Sequence, residues 1–494
     1  MECLKSYITL NIKEDINMNM IINGKLVQAS DGKVLEVLNP ATGKLIDTVP
    51  AATEEDIKNA VNSAEAAQKI WAKVPVHEKS TIMRKFIALV EENKESLART
   101  LSDETGKPIN EARGEIGNIT IAFEAFSEKA KHLYGEVIPA GLEAGQDKHI
   151  LFTQREPIGV VACIIPFNFP CDLFDQKVAP ALLSGNAAIV KPSTDNPLTL
   201  CMLTKLLVDA GVTDGAIQIV TGRGSKVGSW LCSNPDVHLI TLTGSTEVGI
   251  ETAKTAAANL THVALELGGN DAFIVCEDAD VDLATTELIW GRMYNTGQVC
   301  CASKRFLVHR SRVEEFAAKA VEKISAIKRG MPSEESAQMG CLISEKAAID
   351  VEKQVNLTVE QGGRIILGGK RDGAFYDPTV IIDVPKTADV AIDMEIFGPV
   401  VPIIAFDTIE EAIEIANASI FGLCGCVFSE NMKTAFKVAN ALECGGSVIN
   451  GASFFRSFEM PFGGYKFSGI GTEGVLSTFN EMTTTKTIVL KNIL

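Results

Sequence analysis

Glu266 and Cys300 are the residues of this chain best suited to covalent chemistry. Cys300 follows Asn295-Thr296-Gly297-Gln298-Val299 and precedes Cys301, and Glu266 opens Glu266-Leu267-Gly268-Gly269-Asn270, 34 positions upstream. A thiolate attacks a carbonyl, and a carboxylate that takes up a proton activates the thiol or a water. Together they suit acyl transfer through a thioester. A free cysteine has a pKa of about 8.5, so only a few per cent is thiolate at neutral pH and its surroundings must help. Glu266 follows the apolar Val263-Ala264-Leu265, where burial would raise its pKa toward the working pH. Asn168 stands in Pro166-Phe167-Asn168-Phe169-Pro170, directly after the apolar run Val160–Ile165. Ligands bind in turns at the C-terminal ends of parallel strands, and an amide N–H there can stabilise an oxyanion. Each residue alone has a plainer reading: packing for the cysteine, solvation for the glutamate, a turn for the asparagine.

The chain has 494 residues, too many for one core, so two or three domains are expected. A net charge of −17 argues against nucleic acid or an anionic membrane as a partner, and no apolar run is long enough to span a bilayer. Twelve cysteines and six histidines show no zinc-like spacing, so no metal is expected. Many unpaired thiols suit a reducing cytoplasm. Residues 1–17 lack the apolar core of a signal peptide and read as a disordered leader, with Met18 or Met20 as an alternative start.

Ile21 to Pro50 reads as short strands and turns, marked by Asn23-Gly24 and Asp31-Gly32. Thr53-Glu54-Glu55-Asp56 resembles a capping box, and Ile57, Ala60, Val61, Ala64, Ala67 and Trp71 follow at helical spacing. Helices continue to about Tyr134. From Gly159 the pattern changes. Val160–Ile165, Ala187–Val190, Ile217–Val220, His238–Leu242 and Ala272–Val275 are short apolar runs, most of them separated by helical stretches. That alternation predicts a parallel sheet covered by helices on both faces. The C-terminal half repeats the style, with strands at Arg305–His309 and Val400–Phe406 and helices at Val313–Ile327 and Ile409–Ala416. The fold class is α/β.

The Asn168, Glu266 and Cys300 motifs resemble the active site of the NAD(P)-dependent aldehyde dehydrogenase superfamily, hydrolytic branch. Asn39-Pro40-Ala41-Thr42-Gly43, Glu104-Thr105-Gly106-Lys107-Pro108 and Pro461-Phe462-Gly463-Gly464 agree, in the family's order, so the resemblance spans Ile21 to Leu490. It implies a Rossmann-like NAD(P)-binding domain (18–134 and 157–265), an α/β catalytic domain (266–450), a small β bridging or oligomerisation element (135–156 and 482–494) and a return segment (451–481). It implies Cys300 as nucleophile, with Cys301 a bystander, and Glu266 as base. The Asn168 side chain and the Cys300 N–H would form the oxyanion hole. The reaction would be oxidation of an aldehyde to its acid through a thiohemiacetal and a thioester. Cofactor contacts implied by resemblance are Ile164, Ile165, Phe167, Lys191, Ser193, Thr194, Gly224, Gly244, Ser245, Val248, Leu267, Glu395 and Phe397. Gly222-Arg223-Gly224 is no full dinucleotide fingerprint, and the family does without one. Thr194 stands where many NAD-preferring relatives have Glu, so NADP is favoured over NAD: a carboxylate there would repel a 2′-phosphate.

Two departures bear on the substrate. Val299 replaces the Arg that precedes the cysteine in enzymes of glyceraldehyde 3-phosphate, and Gln176 replaces an Arg found before Lys177 in many succinic semialdehyde enzymes. A small uncharged or singly charged aldehyde, of lactaldehyde or semialdehyde type, is therefore favoured over a doubly charged one. Arg456 falls in the expected entrance loop, and Phe167, Phe174, Phe454 and Phe455 are candidates for an apolar tunnel or for core. A homodimer or homotetramer is expected. The alternatives are a CoA-acylating relative, disfavoured by Glu266, and a non-catalytic homologue, which would have lost Cys, Glu or Asn.

Overall fold

The computed structural model describes residues 18–493; the proposed leader, 1–17, lies outside them. Two sheets dominate. The first has eight strands in the order Lys25–Val27, Met20–Ile22, Ile217–Ile219, Ala187–Lys191, Val160–Ile164, Leu239–Thr243, His262–Glu266, Gly469–Ile470. Its five central strands are parallel. Val160–Ile164 and most of Ala187–Lys191 are continuous apolar runs because both faces are covered. The second has seven strands, Arg364–Leu367, Thr379–Ile382, Val400–Phe406, Ser303–His309, Asp271–Val275, Cys424–Phe428 and Gly446–Ile449, parallel except at the first pair. A third, antiparallel sheet joins Val137–Ile138, Ile150–Pro157 and Thr483–Leu490.

Local signals act as expected at the N-terminus. Asn23 and Gly24 take positive φ and turn the chain between the first two strands. Thr53 caps the helix Glu54–Trp71 in a full capping box with Asp56, and its apolar stripe packs inward. The parallel-sheet reading needs one correction. Ala272–Val275 does not join the strands that precede it in sequence. It lies in the second sheet, and an unanticipated strand, His262–Glu266, takes the place beside Leu239–Thr243. That strand was hidden because its first three residues are exposed or half-buried and only its last two are buried. It gives neither a continuous apolar run nor clean alternation.

The consequence is functional. The chain leaves the first sheet at Glu266 and enters the second at Asp271, with only Leu267-Gly268-Gly269-Asn270 between. The C-terminal edge of one sheet is thus held beside the N-terminal edge of the other. The two glycines permit the approach: a Cβ on Gly268 would stand 2.6 Å from Glu395 Oε2, and one on Gly269 would stand 2.9 Å from Leu423 Cβ and 3.1 Å from the Cys300 carbonyl.

Candidate active site

Cys300 lies just before the second-sheet strand Ser303–His309, at the end of a strained turn. Asn295, Thr296 and Gly297 all have left-handed backbones, with φ of 49°, 54° and 76°. Such a conformation costs about 1–3 kcal/mol for a non-glycine residue and persists only where its surroundings impose it. Here they do. Asn295 N–H donates to Glu111 (2.9 Å), and its side chain donates to the carbonyls of Asn168 (2.9 Å) and Gln298 (3.2 Å). Gln298 accepts from Ile343 N–H and donates to the Asn295 carbonyl. Lys304 donates to the Cys300 carbonyl and pairs with Glu395 at 3.1 Å. The thiol is partly buried, and its pKa falls to about 7. The first cause is the Cys301 S–H, which donates to the Cys300 sulfur; the cations of Lys304 and Arg456 add to it, and burial opposes it. Cys301 is correspondingly pushed well above the usual thiol range.

Asn168 follows the first-sheet strand Val160–Ile164, as the sequence places it. It is buried, and its Nδ2 donates to the Gln298 carbonyl at 3.1 Å, which ties it to the cysteine turn. One Nδ2 hydrogen remains for a ligand. Its own carbonyl is held by Lys107 Nζ at 3.0 Å and by Asn295. Glu266 ends the strand His262–Glu266, 5% exposed, and neither carboxyl oxygen has a hydrogen-bond partner among the described residues. Burial pushes its pKa well above the carboxylate range, and the nearby Glu473 charge pushes further.

A cavity of about 360 Å³ opens onto Cys300. Asn168, Phe169, Asp172, Gln176, Trp290, Tyr294, Val299, Cys301, Phe454, Phe455 and Arg456 are among its walls. Of the four proposed tunnel phenylalanines, Phe454 and Phe455 line it. Phe174 is fully buried core, and Phe167 instead meets the Phe397 ring edge-on, centroids 5.9 Å apart. Arg456 is no free surface arginine. Glu473 accepts from Arg456 at 2.8 Å and from Lys177 at 2.7 Å, both cations on one carboxylate.

The residues proposed for the dinucleotide fall into three groups. Glu395, Phe397 and Phe167 meet beside Gly268 and Lys304, close to Cys300. Lys191 ends the strand Ala187–Lys191 next to Ser193 and Thr194, with its ammonium 3.8 Å from where a Cβ on Gly224 would be. Ile165 N–H bonds the Lys191 carbonyl, beside Ile164 at the strand end. Gly244, Ser245 and Val248 begin the helix Thr246–Ala257, where Ser245 caps Val248 N–H; Leu267 fills the space left by Gly249. These groups fit a dinucleotide on three observations. Lys191 is buried, its pKa lowered to about 8 by burial, and among the described residues its ammonium bonds only the neighbouring Pro192 carbonyl. Thr243 Oγ1, before that helix, is buried without a partner among the described residues. A helix N-terminus favours a phosphate.

Comparison with known proteins agrees with this geometry. Residues 26–488 match the model of the Aldehyde dehydrogenase family. The chain belongs to that family. It is 37% identical to a glutarate-semialdehyde dehydrogenase of Pseudomonas putida, covering 92% of this chain and 93% of the relative. It is 36% identical to an NADP(+) succinate-semialdehyde dehydrogenase of Escherichia coli, covering 94% and 96%. A betaine aldehyde dehydrogenase of Staphylococcus aureus, solved with NAD+, superposes with a TM-score of 0.93 at 32% identity, covering 97% and 96%. The fold is therefore that of an aldehyde dehydrogenase, and the chain is an NAD(P)-dependent oxidoreductase.

Sequence reasoning missed several positioning residues. Lys304, Glu111 and Glu473 were not singled out, nor was Arg292, whose buried guanidinium bonds the carbonyls of Ile396 and Val400 and so holds the loop bearing Glu395 and Phe397. Buried charges look in sequence like solvated ones; only their position in a family landmark, as for Lys107, gave a signal.

Proposed function

We infer that this protein oxidises a small aldehyde to the carboxylic acid, with Cys300 as nucleophile. The observation that carries this reading is a cavity that opens onto Cys300 and Asn168, with the Glu266 carboxyl buried, without a partner among the described residues, and near enough to interact with the Cys300 charge. The Cys300 thiolate adds to the aldehyde carbon, giving a thiohemiacetal. Its oxyanion takes the remaining Asn168 Nδ2 hydrogen and the Cys300 N–H. When bound, the dinucleotide supplies the acceptor for the hydride lost from that carbon. Glu266 then takes a proton from water, which cleaves the thioester to the acid and restores the thiol. Glu395, Phe397 and Phe167 would hold the nicotinamide end, and Lys191, Ser193, Thr194 and Gly224 the adenosine end. Ile164, Ile165, Gly244, Ser245, Val248 and Leu267 would line the path between. Thr194 bonds the Gly222 carbonyl at 3.3 Å and adds no charge, so NADP is accepted and preferred to NAD.

Lactaldehyde- or semialdehyde-sized aldehydes fit the cavity. Both alternatives are weaker. A CoA-acylating enzyme has no use for Glu266, and a non-catalytic homologue has no use for the strained turn. We propose the domains 18–134 and 157–265 for the dinucleotide, 266–450 for catalysis and 451–481 as a segment returning to the first. The third sheet, with Val137 and Val489 exposed, is the element we assign to a homodimer or homotetramer. No helix among the described residues is long and apolar enough to cross a membrane. The eleven described cysteines form no disulfide, which suits a reducing cytoplasm.

Formation of NAD(P)H from an aldehyde panel, with each cofactor and with or without CoA, tests the reading. Acid should form without CoA. Turnover that requires CoA, or none with any aldehyde, would overturn it.

A further inference from the structure

Arg456 is the only cation among the residues lining the cavity onto Cys300, and Asp172 the only acid. Its guanidinium is anchored twice, by Glu473 at 2.8 Å and by the Phe462 ring, 4.0 Å from its centroid. A quarter of the side chain stays accessible. Its charge is not neutralised there, because Lys177 occupies the other oxygen of the same Glu473. Two cations on one carboxylate leave one positive charge. Burial shifts the neighbouring acids toward their neutral forms. It raises the pKa of both Glu266 and Asp175, and both Asp175 oxygens are without partners among the described residues. Asp172, also raised by burial, to about 7, accepts from the Asn118 side chain at 3.1 Å.

A second observation points to a ligand on this wall. Gln176 faces the cavity from the helix Pro170–Leu183, 1% exposed, and neither its amide nitrogen nor its oxygen has a partner among the described residues. A buried amide without a bond is costly unless something supplies one. An uncompensated cation and an unpartnered amide donor are what a carboxylate or sulfonate needs. The rest of the cavity, Phe169, Trp290, Tyr294, Phe454, Phe455 and Phe458, is aromatic and suits a short carbon chain. The Cys300 thiolate shares the Arg456 field before reaction, but its charge is lost once the sulfur is acylated. A substrate with its own anion keeps the field matched through the thioester.

We propose that Arg456, with Gln176, binds the anionic far end of a short ω-oxo acid, and that the enzyme selects such aldehydes over neutral ones of equal shape. This rests on the aldehyde-oxidising reading above. The test compares kcat/KM for 4-oxobutanoate with that for 4-methylpentanal, which carries an isopropyl group in place of the carboxylate. The wild type should favour the oxo acid by about 10- to 100-fold, chiefly through KM, as a charge-assisted hydrogen bond implies. Arg456→Met should bring the ratio near one, Arg456→Lys should restore part of it, and Gln176→Leu should lower it less. The wild type alone gives a second readout if a variant fails to fold. Its ratio should fall as ionic strength rises from about 0.01 M to about 1 M, where the screening length shortens from about 30 Å to about 3 Å. A wild type that favours the neutral aldehyde, a ratio indifferent to salt, or an Arg456→Met variant with an unchanged ratio overturns the proposal. Oxidation of neither aldehyde, or of any other, would instead remove the reading on which it rests.

Discussion

Glu266 and Glu473 are both buried near one sheet edge, and yet their pKa values move in opposite directions. Glu266 ends the strand His262–Glu266, whose register partner at that residue is Gly469, four residues before Glu473. They are 5% and 4% exposed. Burial acts upward on both. In Glu473 the cations of Lys177 and Arg456 outweigh burial and hold the pKa near 2. Glu266 has no hydrogen-bond partner among the described residues and stays raised. Burial alone therefore does not decide a carboxyl's role; its partners do. A paired carboxylate is a fixed charge that orders its neighbours, whereas an unpartnered one exchanges a proton within the working pH range.

The greatest loss is expected at the Cys300 sulfur, whose charge Glu266 feels. Cys300→Ala should lower aldehyde oxidation by roughly 10⁴-fold or more, while dinucleotide binding, followed by fluorescence titration, persists. Cys301→Ala should keep substantial activity, but its kcat/KM profile should shift to higher pH, because Cys300 loses the S–H that stabilises its thiolate. In the wild type the same profile should rise through pH 7, where Cys300 ionises. A dead Cys301 variant beside an active Cys300 variant would reverse the assignment.

Next in size is the contrast between the carboxyls. Glu266→Gln should slow turnover by roughly 10²–10⁴-fold and leave stability unchanged or improved, since it replaces a buried carboxyl without partners. Glu473→Gln should cost about 3–5 kcal/mol of stability, because it strands the buried Lys177 and the half-buried Arg456. Denaturant unfolding of both variants checks this; equal losses would erase the distinction drawn here.

The smallest effect concerns the cofactor. Thr194→Glu should shift the kcat/KM ratio toward NAD, by about 10-fold if one charge repulsion is added in a partly screened cleft. An unchanged ratio, or a wild type that strongly favours NAD, would show that Thr194 does not set the preference.

How legible was this site in the sequence? Cys300, Glu266 and Asn168 stood out because each lies in a short Gly- or Pro-marked run, and such runs fix a backbone before any packing. The helix after Thr53 was legible for the same local reason. The strand His262–Glu266 was not, because its burial is supplied by neighbours on one end only. Nor was the left-handed turn at Asn295-Thr296-Gly297. Nothing in a threonine announces φ of 54°; the conformation is imposed by Glu111, Asn168 and Ile343, which lie far off in sequence. The charge of Arg456 was likewise unreadable, since it depends on Lys177 sharing Glu473.

The account stands most directly on where the acyl group rests when Glu266 cannot activate water. Glu266→Gln, mixed with an aldehyde and NAD(P)+ and quenched within the first turnover, should carry the acyl group as a mass increase on the Cys300 peptide, with one NAD(P)H released per site. An adduct on Cys301, or no adduct with turnover as fast as wild type, would contradict it.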